Sequence, residues 1–199
     1  MKISDIAGRN QHSNIVETLL RASKGYASLR DWPDKKSKER GIVYDLLKSI
    51  KAEGGHHDIL HVRTNKPDPP DCVGTVANGE LVAFEVTELV DQKTVERNRL
   101  GQRAQKRWTP NELVAKVQEI IQGKDSKQFH GGPYSKVVLV IHTDEPRLRR
   151  FDDCKAILHN QKLGRCKQIT DAYLLGSFVP RRKFYPFLRL QISGLLDRR

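Results

Sequence analysis

Residues 69–91 read PPDCVGTVANGELVAFEVTELVD, and their pattern decides the fold. Asn78-Gly79 stands between two apolar runs in rough alternation. That is the signature of a two-residue hairpin loop whose central residues both take positive φ. The spacing predicts one strand over 71–77 and a second over 80–87. The first begins at Asp71, directly after two prolines, and the second ends in Phe84-Glu85-Val86-Thr87-Glu88. One hairpin thus offers an acid at the open end of each strand. Carboxylates gathered in this way repel unless a proton or cation lies between them. A hard cation such as Mg²⁺ is held by one or two carboxylates plus water and phosphate oxygens. Asp71 and Glu85 are therefore candidate metal ligands, and a shared ion requires them within ~6 Å of each other.

The ideal register opposes this arrangement. A two-residue loop pairs Ala77 with Glu80, and so Cys72 with Glu85. Asp71 and Glu85 then point to opposite faces. A bulge near Gly74, or a bend after Pro70, is needed to bring them together. The competing reading makes Asp71 a turn cap and Glu85 a surface residue. The apolar context Leu-Val-Ala-Phe-Glu-Val argues instead for a buried Glu85 that needs partners.

Pro70-Asp71, a hairpin and then Glu85-Val86-Thr87 resembles the signature of the PD-(D/E)xK nuclease-like superfamily. The resemblance covers roughly residues 35–176. It implies a three-layer, restriction-endonuclease-like α/β core, with a mixed central sheet flanked by helices. The implied order is helix, three antiparallel strands, helix and a further strand. It also implies phosphodiester cleavage dependent on Mg²⁺ or Mn²⁺, with Asp71, Glu85 and a main-chain carbonyl near Val86 on the metal. An acid on the first helix sometimes joins such a site. Glu39 is that residue here, Glu17 competes with it, and complementing the helix N-terminus is the alternative role for Glu39. Thr87 stands where the superfamily has lysine. Its hydroxyl can position a water, but it brings no positive charge. Helical spacing makes Lys116 the first candidate for a relocated catalytic lysine and Lys93 the second, against the ordinary role of a lysine lying along an apolar face.

The rest of the chain supports a single domain over 34–199 with an N-terminal helical extension over 1–33. In the extension, a helix is expected over 13–22, with Tyr26, Leu29 and Trp32 pinning the segment to the core. A helix over 37–53 carries Ile42, Val43, Leu46, Leu47 and Ile50 at helical spacing, and a strand follows over 58–63. Thr109-Pro110-Asn111-Glu112 opens another helix with a capping box. KVVLVI at 136–141 is a buried strand. A helix over 147–159, a strand over 171–178 and an edge strand over 187–192 follow the basic and turn-rich stretches between them.

The 199 residues carry a formal net charge of +12, which points to a polyanion. Lys93, Arg97, Arg103, Lys106 and Arg107 crowd the stretch 92–107 and are the candidate nucleic-acid contacts, with a solvated helical face as the other reading. DNA is favoured over RNA as the partner, and a homodimer is left open. Three cysteines without C-x-x-C spacing and three nearby histidines, His56, His57 and His61, form no zinc pattern, and the cysteines fit a reducing cytoplasm. No apolar run approaches the ~20 residues of a membrane span. Besides a metal-dependent nuclease, two classes stay in view: a non-catalytic nucleic-acid-binding module on the same fold, and a basic structural subunit of a ribonucleoprotein.

Overall fold

A computed structural model of the protein describes residues 34–193 except 103, 146, 147 and 149. The helix expected over 13–22, Glu17, Trp32 and Arg103 lie outside the described residues. The first described helix, α1 (Lys35–Ala52), starts at Asp34, whose carboxylate accepts the backbone N–H groups of Lys36 and Ser37. This satisfies two of the donors that a helix N-terminus leaves open. Ile42, Val43, Leu46 and Leu47 form its buried stripe.

Three strands follow, β1 (Ile59–Thr64), β2 (Cys72–Val76) and β3 (Leu81–Glu88), then two helices, α2 (Gln92–Arg99) and α3 (Pro110–Asp125). The chain continues through β4 (Lys136–His142), α4 (Phe151–Leu158), β5 (Asp171–Leu175) and β6 (Phe187–Arg189). The strands make one six-stranded sheet in chain order. The first three are antiparallel, β3, β4 and β5 are parallel, and β6 returns antiparallel. Each parallel step is bridged by helix, as a parallel connection requires.

Side-chain alternation along the strands sorts the core into two faces. Val82, Phe84 and Val86 of β3 pack with Val138 and Val140 against α1. Ala83, Leu139, Ile141 and Leu174 pack on the other side against Leu113, Val117 and Ile121 of α3 and Phe151 and Leu158 of α4. Among the described residues, α1 thus covers one face and α3 and α4 the other, an α/β arrangement compatible with three layers. The expected capping box is present: Thr109 Oγ1 accepts the Glu112 N–H while Glu112 accepts the Thr109 N–H. No helix among the described residues is long and apolar enough to cross a membrane. Cys72, Cys154 and Cys166 are buried and unpaired.

The hairpin corrects the expected register. Its loop has three residues rather than two. Val76 N–H bonds to the Glu80 carbonyl at 3.1 Å, and Gly79 N–H to that of Val76 at 2.9 Å. Gly79 takes φ +84°, whereas Asn78 is not at positive φ. A three-residue loop ending in a left-handed glycine is the next commonest way to close a hairpin. It moves the register by one residue: Cys72 pairs with Phe84 and Thr75 with Leu81. Continuing the ladder one step puts Asp71 opposite Glu85. The bulge expected at Gly74 is therefore unnecessary, and the irregularity lies between Ile59 and His61 of β1. Gly74 serves close packing instead, since a Cβ there would come within 2.9 Å of the Phe84 ring.

Candidate metal centre at the open end of the hairpin

The polypeptide between β1 and β2 folds back on itself before delivering Asp71. Asn65 N–H bonds to the Asp71 carbonyl at 2.9 Å, and His130 N–H bonds to the Pro69 carbonyl at 2.9 Å. This pins the Pro-rich loop at both ends and carries Asp68 over the same spot. One oxygen from each of Asp68, Asp71 and Glu85 then lies within 4.8 Å of the others. Oxygens across a Mg²⁺ ion stand about 4.2 Å apart, and those around a larger cation about 5 Å. The triad has the scale of a single cation. Among the described residues it is the sole group of three or more acidic, histidine or cysteine side chains so arranged. Asp68 is exposed, whereas Asp71 and Glu85 are buried.

Glu85 is fully enclosed, with 0% of its surface exposed. Its Oε1 accepts from Lys124 Nζ at 2.6 Å and from Lys127 Nζ at 3.0 Å. Its Oε2 is buried and has no hydrogen-bond partner. An unsatisfied buried carboxylate oxygen is costly and asks for a ligand. Asp71 Oδ2 accepts the Val86 N–H at 2.7 Å. Burial, and then the neighbouring Glu85 charge, push the Asp71 carboxyl up to about 7, against the opposing Val86 hydrogen bond. Burial would lower the Lys127 ammonium, but its hydrogen bond to Glu85 and that carboxylate's charge more than offset this and raise it.

These groups line a cleft of about 270 Å³ between α1, the end of β3 and the end of α3. Lys35, Lys38 and Glu39 contribute from α1, Thr87 and Glu88 from β3, and Lys124 and Lys127 from and beyond α3. Glu39 is buried and bound to Lys35 at 3.3 Å, so it borders the acidic triad without joining it. Val86 supplies its N–H to Asp71. Thr87, half-buried, shares the β3 face with Glu85 by strand alternation.

Lys116 does not enter the cleft. Its Nζ is paired with Glu119 at 2.8 Å on the outer side of α3. Lys124 and Lys127, farther along the same segment, occupy the position beside Glu85. Lys93 and Arg97 are exposed on α2, with Arg97 Nε donating to Gln102. Lys106 is engaged with Glu112 and lies over the Trp108 ring, and Arg107 is exposed. None of these four lines the cleft.

Sequence reasoning missed Asp68, Lys124 and Lys127 as site residues. Asp68 had a visible signal: it stands three residues before Asp71, across Pro69-Pro70, in a loop too short to carry it far. No family model, curated protein or solved structure matches this chain.

Proposed function

We propose that the chain is a metal-dependent nuclease that hydrolyses phosphodiester bonds in nucleic acid, on a PD-(D/E)xK-like, restriction-endonuclease-like core. The observation that carries this reading is the buried, unpartnered Oε2 of Glu85 beside Asp71 and Asp68. The element order supports it: a helix, three antiparallel strands, helix and a parallel fourth strand. The donor set suits a hard divalent cation, Mg²⁺ or Mn²⁺, because every donor is a carboxylate oxygen. Asp71, Glu85 and Asp68 would hold it. Such an ion, when bound, lowers the pKa of a coordinated water and offsets phosphate charge.

The residues of the chain divide the remaining work. The Val86 N–H fixes the Asp71 carboxylate. Thr87 presents a hydroxyl to the cleft for orienting a water. Lys124 and Lys127 supply the cationic charge that Thr87 lacks, and Lys127 is the more exposed of the two. An ammonium there can stabilise charge developing on phosphate oxygens. The net charge of +12 supports a polyanionic substrate, with DNA favoured over RNA.

The second reading is a non-catalytic nucleic-acid-binding module. Its support is the double pairing of Glu85 Oε1, which leaves the buried carboxylate neutralised by lysines alone. Incubation of the pure chain with Mg²⁺ or Mn²⁺ and plasmid, linear duplex, single-stranded DNA or RNA decides between them. Cleavage of one of these is expected. Binding without cleavage of any leaves the module.

A further inference from the structure

The hairpin between β5 and β6 carries a cluster of cations that does not line the cleft. Its tip is Pro180-Arg181-Arg182-Lys183, and all four residues are exposed. Among the described residues, none of the three cations has an acidic or hydrogen-bonding side-chain partner, whereas Arg189 nearby is paired with Asp171 at 2.6 Å. The tip is nonetheless built. Val179 and Phe184 close it, and the N–H groups of Arg182 and Lys183 both bond to the Val179 carbonyl at 3.0 Å. Lys183 sits at φ 59°, the sole non-glycine at positive φ among the described residues. A side chain there costs free energy that glycine would not. The cation is held where a glycine fits more easily, which points to use of the charge.

Directly before the tip lies Phe178, one of three exposed large hydrophobic residues among those described, at 38%. Its ring is braced by Tyr185, with centroids 5.2 Å apart at 56°. Tyr185 in turn is anchored through its N–H to Ser49 Oγ of α1 at 3.2 Å. An exposed, braced aromatic ring beside three unpaired cations matches the way single strands are held, by base stacking with phosphate contacts alongside. The hairpin leaves the C-terminal end of β5, and the metal centre lies at the C-terminal end of β3. Glu88, His142 and Leu175 are in register across these parallel strands, so both features leave the same end of the sheet.

We propose that this hairpin binds unpaired nucleic acid, with Arg181, Arg182 and Lys183 on phosphates and Phe178 stacked on a base. The proposal rests on nucleic acid being the ligand and does not require cleavage. Its test is therefore made in EDTA, by titrating the full chain with an oligothymidylate, a matched duplex and heparin at several salt concentrations. R181A/R182A/K183A should lower the salt slope on the oligothymidylate by about 2, given ~0.7 per phosphate contact on single strands. Phe178→Ala should weaken oligothymidylate binding roughly 5- to 100-fold, change heparin binding little, and be rescued by Phe178→Trp. Lys183→Gly should be at least as stable as the parent yet bind more weakly. Unchanged binding by the triple variant overturns the proposal. So does an equal loss on heparin for Phe178→Ala, or a larger loss on duplex than on single strand. Absence of metal-dependent cleavage by the parent chain, with these binding results obtained, would refute the nuclease reading alone.

Discussion

Glu112 and Glu85 each meet lysine, and they do so differently. Glu112 sits in water at the start of α3. One of its oxygens takes Lys106, and the other takes the backbone N–H and hydroxyl of Thr109, both at 2.9 Å. The Lys106 hydrogen bond, then those from Thr109, draw its carboxyl down to about 2. Glu85 is buried at the end of β3, has two lysines on one oxygen and none on the other. The first glutamate completes its own local structure and has nothing left to offer. The second is left incomplete at the floor of a cleft that holds two further acids. The same pair of residue types thus makes a helix cap in one place and a ligand-seeking centre in the other.

The hardest test of that contrast is Glu85→Gln, which keeps the shape and removes the charge. Cleavage should fall on the order of 10³-fold or more, because several kcal/mol of metal-dependent stabilisation are lost. Nucleic-acid binding in EDTA should hold or tighten, since a negative charge near phosphate is gone. Mn²⁺ should raise the melting temperature of the parent and not of the variant. Equal Mn²⁺ stabilisation of both would remove Glu85 from the ligand set.

Lys124→Ala and Lys127→Ala come next. Each should lower the cleavage rate by roughly 10²-fold, the scale for one lost donor to developing charge. A rate loss confined to one of them would assign the phosphate contact to that lysine and leave the other as the partner that holds Glu85 in place. Two unaffected variants would move the cationic role to Lys35 or Lys38 of α1, which also line the cleft.

The outlines of this centre were legible in the chain, and its closure was not. The acids at the strand ends, the apolar surroundings of Glu85 and the Thr109–Glu112 box all follow from local pattern. The register did not, because Asn-Gly favours a two-residue loop, yet its glycine also suits the left-handed position that closes a three-residue one. One residue of loop decides which face Asp71 takes. The lysines were obscured for another reason. Periodicity tells which face of a helix a residue occupies but not which point along the axis lies beside a given strand. From Lys116 to Lys124 is about 12 Å along α3 at 1.5 Å per residue. Only the packing of α3 on β3 selects the later position. Lys127 lies past the helix end, where periodicity says nothing.

A third test uses protons. In the folded, metal-free protein Asp71 holds its proton up to about 7, against 3.8 for an aspartate carboxyl free in water. The folded state therefore binds that proton more tightly than the unfolded chain. The resulting stabilisation is complete below about pH 4 and is lost as pH rises toward 7. Denaturant midpoints in EDTA should decline over this window, and Asp71→Asn should flatten the decline. An unchanged slope in Asp71→Asn would mean that the carboxyl is not held in this way.

The smallest effect should be at Lys116, and it completes the comparison on the helix that carries both kinds of lysine. Its ammonium is paired with Glu119 one turn away, in contact with water. Surface pairs of this kind contribute about 0–1 kcal/mol, because solvent screens the attraction and two long side chains must be ordered to make it. Lys116→Ala should therefore leave the cleavage rate within about twofold of the parent and the stability nearly unchanged. Measured beside Lys124→Ala and Lys127→Ala, it removes the same charge from the same segment at a different place. Equal losses at all three would mean that net positive charge on this segment, acting at long range on a polyanion, governs the rate. A loss at the two lysines on Glu85 and none at Lys116 ties the effect to the contact itself.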